Sequence, residues 1–251
     1  MSKGKKSASS DRRRLLLSSQ VGDVRAEWRD PLPAGKAVSA VRGKMRVPVD
    51  GPLVNFESSI EKDFLTLCRA DRRIGEVHAQ RLVLHFTDLR TGKRRRYTPD
   101  FVVVPEESVG MSWKRAVVEV KTWRDLLRSR QSRGPGYAAA RLWCLDREGT
   151  IFRVVTDRQM SGPWMTNARM ISAYVDAPVS LDALELCREL VKSRVEWRVE
   201  EIVSAARERG FNPHSIMPVI HRMLAHGELW FDRGHVLDMR TWVTVGTPWR
   251  L

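Results

Sequence analysis

The sequence predicts a mixed α/β (α+β) protein with two folded domains behind a basic N-terminal arm. The chain has 251 residues, enough for a domain of ordinary size and a smaller companion. Apolar residues alternate between strand and helix spacing as far as about residue 175, whereas the spacing is mainly helical beyond Pro178. The first fifty residues are basic, rich in Ser, Gly and Pro, and lack sustained periodicity. We therefore expect an arm at 1–50, an α/β domain at 51–175 and a smaller domain at 176–251.

The central domain is expected to begin with a helix that leads into strands. Apolar residues recur at helical spacing in the segment containing Ile60, Phe64, Leu67 and Cys68. Extended chain is then indicated around 74–77 and over the apolar run 82–86. The alternation of element types predicts that this helix packs against a sheet.

An antiparallel hairpin is expected next. The segments RTGKRRRYTPDFVVV and WKRAVVEVKTW each contain a strand, and the loop 105–114 joins them. The triplet Gly134-Pro135-Gly136 predicts a break in the chain, followed by a helix at 137–145. A last strand is expected at 151–156.

The C-terminal domain is predicted to contain three helices and a hairpin. Ser180 can cap the first helix, a second is expected at 199–207, and Gly210 ends it. The third helix is expected at 213–225, followed by strands at 229–232 and 235–245. This order is typical of a winged helix-turn-helix domain with 212–226 as its recognition helix.

The charge balance favours a polyanionic partner. Forty-four Lys and Arg residues against thirty Asp and Glu residues leave a formal net charge of +14, which favours DNA or RNA. The three cysteines are Cys68, Cys144 and Cys187; they lie far apart without a metal-binding pattern and predict buried free thiols. Because neither a signal sequence nor a membrane span is recognisable, we expect a cytoplasmic protein that does not bind membranes.

The hairpin brings two acidic residues together. Equal steps along its strands from a turn near Val109-Gly110 place Asp100 opposite Glu119, at about 5 Å between Cβ atoms. Two carboxylates at this distance repel each other unless a cation lies between them, and a divalent ion such as Mg²⁺ is suited to this role, with Mn²⁺ as a substitute. Alternation along the strand puts Lys121 on the same face as Glu119.

Two carboxylates and a lysine fit phosphodiester hydrolysis. A metal ion polarises the phosphate and lowers the pKa of bound water, while the lysine orients the water or offsets negative charge. A structural interpretation remains open, in which Asp100 is a turn residue and Glu119 and Lys121 belong to the solvated face of an edge strand.

Glu61 is a third candidate from the first helix. Its spacing from Ser58 is that of a capping box, so it could serve only to fix the helix N-terminus. Its position on a helical stripe with Leu65 and Cys68 would also hold the carboxylate at the inner edge of the domain, near the hairpin.

Candidate DNA contacts lie in both domains. The basic run before the Asp100 strand either follows phosphates or forms a solvated turn; it consists of Lys93, Arg94, Arg95 and Arg96. In the third C-terminal helix, His214, His221 and Arg222 are candidates for contacts with phosphates or bases.

Three segments together resemble a known family. SSIEKDFLTLCRADRRIGEVHAQ, GKRRRYTPDFVVV and AVVEVK, within about residues 56–157, are similar in order and spacing to the TnsA endonuclease subunit of heteromeric (TnsABC-type) bacterial transposases. The resemblance implies a restriction-endonuclease-like PD-(D/E)xK core with a winged-helix second domain. It also implies a site formed by Glu61, Gln80, Asp100, Glu119 and Lys121, with metal bound by the three acidic residues. Some members carry Gln where this chain has Glu119.

The resemblance also implies a function. This subunit would be a Mg²⁺-dependent endonuclease that hydrolyses the 5′-end (non-transferred) strands at transposon ends during cut-and-paste excision. A TnsB-like integrase-fold transposase would join the 3′ ends to target DNA, and a TnsC-like AAA+ ATPase would contact the C-terminal domain. Two alternatives remain open, a stand-alone restriction- or repair-type nuclease and a non-catalytic DNA-binding adaptor. The adaptor is disfavoured because a scaffold gains nothing from opposed like charges.

Overall fold

The computed structural model describes residues 13–30, 41–48 and 51–246, which form a mixed α/β protein as predicted. The chain divides into two compact units. The described part of the first comprises 13–30, 41–47, 52–62 and 73–159, and that of the second 48, 51, 63–72 and 160–246. No helix within these described ranges has the length and hydrophobicity of a membrane span.

Two sheets organise the first unit. A three-stranded antiparallel sheet has the order β1-β5-β6 and comprises β1 (Val21–Trp28), β5 (Leu82–Asp88) and β6 (Lys93–Tyr97). A four-stranded sheet has the order β4-β7-β8-β9 and comprises β4 (Ile74–Ala79), β7 (Phe101–Pro105), β8 (Arg115–Lys121) and β9 (Thr150–Thr156). A separate hairpin pairs β2 (Gly43–Arg46) with β3 (Leu53–Phe56).

The predicted arm is partly folded. Residues 13–18 are helical (α1), and β1 pairs with β5 so that Val21 is buried. Strand β1 has almost no buried side chains besides Val21, so hydrogen bonds to β5 hold it in place and its sequence shows no apolar periodicity. The rest of the predicted arm, 1–12, 31–40 and 49–50, lies outside the described residues.

The predicted hairpin register is confirmed. Strand β7 pairs antiparallel with β8, and Phe101 lies opposite Val118. One further step places Asp100 beside Glu119. Strand β8 also pairs in parallel with β9, and helix α3 (Trp123–Leu145) connects the two strands.

The predicted break at Gly134-Pro135-Gly136 was wrong, because α3 runs through it. A proline inside a helix removes one hydrogen bond and costs about 3 kcal/mol. The turns of α3 that follow Pro135 are nevertheless buried in the core, and this burial offsets the cost. A Cβ atom at Gly136 would lie 3.0 Å from the Tyr97 ring, so glycine here allows α3 to approach β6 closely.

Helices dominate the second unit. α2 (Ser59–Ala70) contributes its later residues, and the remaining helices are α4 (Pro163–Tyr174), α5 (Leu181–Lys192), α6 (Val199–Glu208) and α7 (Pro213–Ala225). The three predicted C-terminal helices are confirmed, and the Ser180 hydroxyl accepts the Ala183 N–H as an N-cap. The C-terminal stretch of this unit begins at Met160 rather than near residue 175, because Ala168, Ile171 and Val175 pack in its core.

The sheet of the second unit has three strands, in the order β10-β12-β11. These are β10 (Glu196–Arg198), β11 (Leu229–Phe231) and β12 (Trp242–Val245). Strand β10 was not predicted, and the expected strand at 235–245 is shortened to β12. The buried Asn167 side chain donates to the His235 carbonyl and accepts the Leu237 N–H, so this backbone bonds to a side chain instead of a strand.

The His221 ring is buried in the core of the second unit. It stacks at 4.7 Å between centroids on Tyr174, and among the described residues neither ring nitrogen has a hydrogen-bond partner. Burial lowers the pKa of its imidazole below the ordinary value. The predicted contact between His221 and DNA is therefore wrong, because the ring has no surface to offer a ligand.

His221→Phe is expected to remove an acid sensitivity of stability. The buried site disfavours imidazolium, so the stability of the wild type is intact above the ordinary histidine pKa of about 6.5 and falls as the pH drops through it. Urea unfolding from about pH 7 to about pH 5 should show the wild type losing stability relative to the variant. The loss should reach up to about 1.4 kcal/mol for each unit by which folding lowers the pKa of His221. Parallel curves for the two proteins would show that His221 does not titrate on unfolding.

Candidate active site

Three of the predicted site residues meet at the end of the β7–β8 hairpin. Lys121 Nζ lies 3.5 Å from Asp100 Oδ2 and 3.4 Å from Glu119 Oε1. The Glu119 side chain is fully buried, whereas Asp100 and Lys121 keep 12% and 20% of their side-chain surface exposed. The cluster therefore opens to solvent on the side of Asp100 and Lys121. The interpretation of Glu119 as part of a solvated face is excluded.

Backbone geometry holds Asp100 in this position. The Val120 N–H donates to Asp100 Oδ2 at 2.7 Å, beside the Lys121 ammonium group. The Gln80 N–H donates to the Asp100 carbonyl at 2.9 Å. Both partners come from strands or turns next to β7, so the carboxylate is placed by the sheet itself.

The Asp100 carboxyl group has a strongly perturbed pKa. Burial, followed by the negative charges of Glu119 and Glu61, raises it to about 7. The Lys121 charge and the Val120 N–H act in the opposite direction but do not cancel the increase. A perturbed carboxyl group beside another carboxylate and a lysine is typical of a functional site.

Three hydrogen-bond donors and one ammonium group surround Glu119. The Tyr97 hydroxyl donates to Oε2 at 2.6 Å, while Arg133 Nη1 and the Tyr137 hydroxyl donate to Oε1 at 3.1 and 3.5 Å. The Lys121 ammonium group forms an ion pair with Oε1 at 3.4 Å. Burial and the charge of Glu119 raise the pKa of both tyrosines, so both hydroxyls keep the proton that they donate.

The sequence did not identify Tyr97, Arg133 or Tyr137 as site residues. Arg133 and Tyr137 are four residues apart, which places them on one face of a helix. The predicted break at 134–136 placed them in different elements and concealed this spacing. Tyr97 ends a basic strand, and only its isolated aromatic character distinguished it.

Glu61 is a helix-capping residue near the cluster. Its Oε1 accepts the Ser58 hydroxyl and its Oε2 accepts the Glu57 N–H, while the Ser58 hydroxyl accepts the Glu61 N–H. The Ser58 half of the predicted capping box is present, whereas the Glu61 carboxylate accepts from the Glu57 N–H and the Ser58 hydroxyl. Glu61 is also close enough to raise the pKa of Asp100, so its charge contributes to the site.

Gln80 supports the site through its backbone. It has a φ of 50°, in the left-handed region that is uncommon for residues other than glycine. Its side-chain amide donates to Glu57 Oε2 at 3.3 Å, and its carbonyl accepts from Arg29. The predicted site residue Gln80 therefore positions Asp100 and contacts Glu57, a residue that the sequence did not identify.

Two carboxylates of the cluster could hold a metal ion. Within the residues that the structure describes, no three His, Cys, Asp or Glu side chains are arranged to hold a metal ion. Asp100 and Glu119 provide oxygen ligands of the type that Mg²⁺ prefers. Both Glu61 oxygens and both Glu119 oxygens accept hydrogen bonds, so a metal ion would share these carboxylates with their protein donors.

The predicted basic run forms β6. Lys93, Arg94 and Arg96 are exposed, whereas Arg95 lies 3.0 Å from the buried Asp88 carboxylate. Arg94 and Arg96 line a concavity of about 440 Å³, with further lining from Asp23, Arg25, His85, Phe86, Thr87 and Arg95. Three of the four predicted residues are therefore available to an anion.

The predicted contacts on α7 differ from one another. His214 is exposed near the start of the helix, and its N–H donates to the capping Asn212 side chain. Arg222 donates to the Ala177 carbonyl at 2.8 Å, which leaves its guanidinium only partly available. His221 is excluded by its burial. All three cysteines are buried free thiols, as predicted.

Neither a protein-family model nor a curated protein matches this chain.

Asp100→Asn is expected to stabilise the protein at alkaline pH. Because the carboxyl pKa rises from an ordinary 3.8 to about 7 on folding, its contribution to stability is intact below about 3.8 and is lost as the pH rises through about 7. The amide removes the charge and keeps an acceptor for the Val120 N–H. Without divalent cations, the variant should resist urea better than the wild type at about pH 8, by on the order of a few kcal/mol, and equally near pH 4. A less stable variant at pH 8 would refute the electrostatic assignment.

Proposed function

We propose that this chain is a metal-dependent DNA endonuclease of the PD-(D/E)xK type. The observation that carries the proposal is the pair formed by the buried Glu119 and the partly exposed Asp100, with Lys121 Nζ 3.4 Å from Glu119 Oε1 and 3.5 Å from Asp100 Oδ2. Lys121 and Arg133 supply positive charge beside this acidic pair, yet the pKa of Asp100 stays raised, so the pair still favours further positive charge. A divalent cation would supply that charge, together with the Lewis acidity that phosphodiester hydrolysis uses.

The chain's own residues would then divide the work. Asp100 and Glu119 would hold Mg²⁺, or Mn²⁺ in its place, and the bound ion supplies Lewis acidity toward a phosphate and its attacking water. Lys121 places a positive charge where a phosphate oxygen or the water would lie. Tyr97 and Arg133 fix Glu119 by hydrogen bonds, as partners of metal-binding carboxylates commonly do.

The surface charge supports DNA as the substrate. The exposed β6 side chains and Arg25 present several guanidinium groups on one concave face of the first unit. Phosphate contacts of this kind supply affinity without sequence information. In the second unit, helices α5, α6 and α7, with β10 after the first helix and β11 and β12 after the last, fit the winged-helix interpretation. His214 is exposed on α7 for a phosphate contact.

We further propose that the nuclease cuts the non-transferred strands at transposon ends, within a transposition complex. The support is the TnsA-like order and spacing of its segments and the scarcity of base-reading side chains. Among the predicted contacts on α7, Arg222 is the usual guanine-binding type, and it already donates to a backbone carbonyl. Sequence specificity would then come from a TnsB-like transposase, and a TnsC-like ATPase would regulate the complex.

Asp100→Asn should abolish Mg²⁺-dependent cleavage, with a loss of roughly 10²-fold or more, because it removes one of two proposed ligands. Cleavage of a transposon-end duplex in the cognate complex is the measurement. Glu107→Gln is the matched control, since Glu107 is an exposed carboxylate in the loop of the same hairpin. Cleavage by folded Asp100→Asn at the wild-type rate would rule out the proposed site.

Cleavage should depend on the partner transposase. The purified chain with Mg²⁺ is expected to cut DNA weakly, whereas the added cognate transposase should produce cleavage confined to transposon ends, because recognition resides in the partner. End-containing and random duplexes, assayed with and without the partner, provide the measurement. Efficient, sequence-specific cutting by the chain alone would instead identify a stand-alone restriction-type nuclease.

A further inference from the structure

Strand β9 has an open edge. Within the described residues it pairs with β8 on one side only. The Thr156 N–H donates to the Gln159 side chain at 2.9 Å, whereas the Gly149 carbonyl accepts from β8 at Arg115. Because a parallel ladder uses alternate residues for one neighbour, the N–H and C=O groups of Phe152 and Val154 point to the side away from β8.

A groove lies beside this edge. It has a volume of about 680 Å³ and is formed by β9, the end of α3 and the helical residues 13–18. Leu16 and Leu145 line it although 63% and 41% of their surfaces are exposed. Exposed leucines beside unpaired strand groups form a surface that natural proteins usually protect.

The charge of the groove has one sign. Its lining contains Arg13, Arg141 and Arg153 and no Asp or Glu. The neighbouring Asp146 lies 2.8 Å from Arg14, so its charge is already paired. The groove therefore combines main-chain hydrogen-bonding groups, apolar surface and positive charge.

We propose that this groove binds an extended segment of a partner protein, which adds a strand to β9 and carries acidic residues alternating with apolar ones. Backbone groups at Phe152 and Val154 would supply the ladder, since strand addition gains affinity from main-chain hydrogen bonds and specificity from alternate side chains. The leucines accept the apolar residues and the arginines the acidic ones. This proposal is independent of the nuclease chemistry.

A second copy of the chain fits the groove less well. Pairing β9 with its own copy would bring two sets of the groove's arginines together. Repulsion between like charges across paired strands is destabilising. An acidic partner strand has the opposite effect, so charge complementarity selects it.

The test uses the full chain and a fluorescent peptide of alternating Val and Glu, about nine residues long to match a strand. Fluorescence anisotropy should show saturable binding of this peptide and much weaker binding of its Val-Lys counterpart. N-methylation of alternate peptide residues should abolish binding in one register and preserve it in the other, because only one set of N–H groups faces β9.

Matched variants locate the interaction. Val154→Pro removes an outward N–H while sparing the bonds to β8, and should weaken binding at least about tenfold. Val154→Ala keeps the N–H and should bind nearly as well as the wild type. Arg153→Glu should weaken binding of the Val-Glu peptide and reduce its advantage over the Val-Lys peptide, because Arg13 and Arg141 remain in the groove.

Several results would overturn the proposal. These are no binding of the Val-Glu peptide, equal binding of both N-methylated registers, or displacement of the peptide by a short oligonucleotide but not by unlabelled peptide. If Val154→Pro fails to fold, the N-methylated peptides alone decide the question with the wild-type chain. Nuclease activity is not a readout here, so failure of the nuclease proposal would leave these results unchanged.

Discussion

The buried carboxylate of Glu119 is the constraint on which the first unit depends. Removing a carboxylate from water costs several kcal/mol unless donors replace the lost hydration. Tyr97 on β6 and Arg133 and Tyr137 on α3 donate hydrogen bonds to Glu119, and Lys121 on β8 adds an ion pair. The need to stabilise the Glu119 charge therefore holds β6, α3 and the Lys121 side chain around one carboxylate. Asp100 carries a second cost, because its own burial and then the charge of Glu119 raise the pKa of its carboxyl group to about 7.

The hairpin and the three-residue cluster could be predicted because they depend on local rules. The alternation of side chains and a symmetric count from the turn placed Asp100 beside Glu119, and the observed register agrees. The capping role of Glu61 likewise followed from its spacing to Ser58. Interactions of this kind lie within a few residues or one hairpin, where geometry leaves few alternatives.

The rest of the site depends on tertiary packing that overrides local preference. Pro135 between two glycines is a strong local signal for a break, yet the buried helical turns on its C-terminal side keep α3 continuous. That error separated Arg133 from Tyr137. The burial of His221 could not be predicted from the sequence either, because a histidine on an amphipathic helix is compatible with both a core and a surface position.

Gly136 acts as a spacer between secondary-structure elements. Its missing side chain lets α3 lie against the Tyr97 ring, and the same helical turn carries two of the Glu119 donors. The lack of a side chain at Gly136 thus determines how closely α3 approaches the Glu119 carboxylate on β8. In evolutionary terms, mutational tolerance at residue 136 is tied to the electrostatics of residue 119. Selection would therefore act against a substitution at residue 136 even if it left helix propensity unchanged, because it would displace the donors of the Glu119 carboxylate.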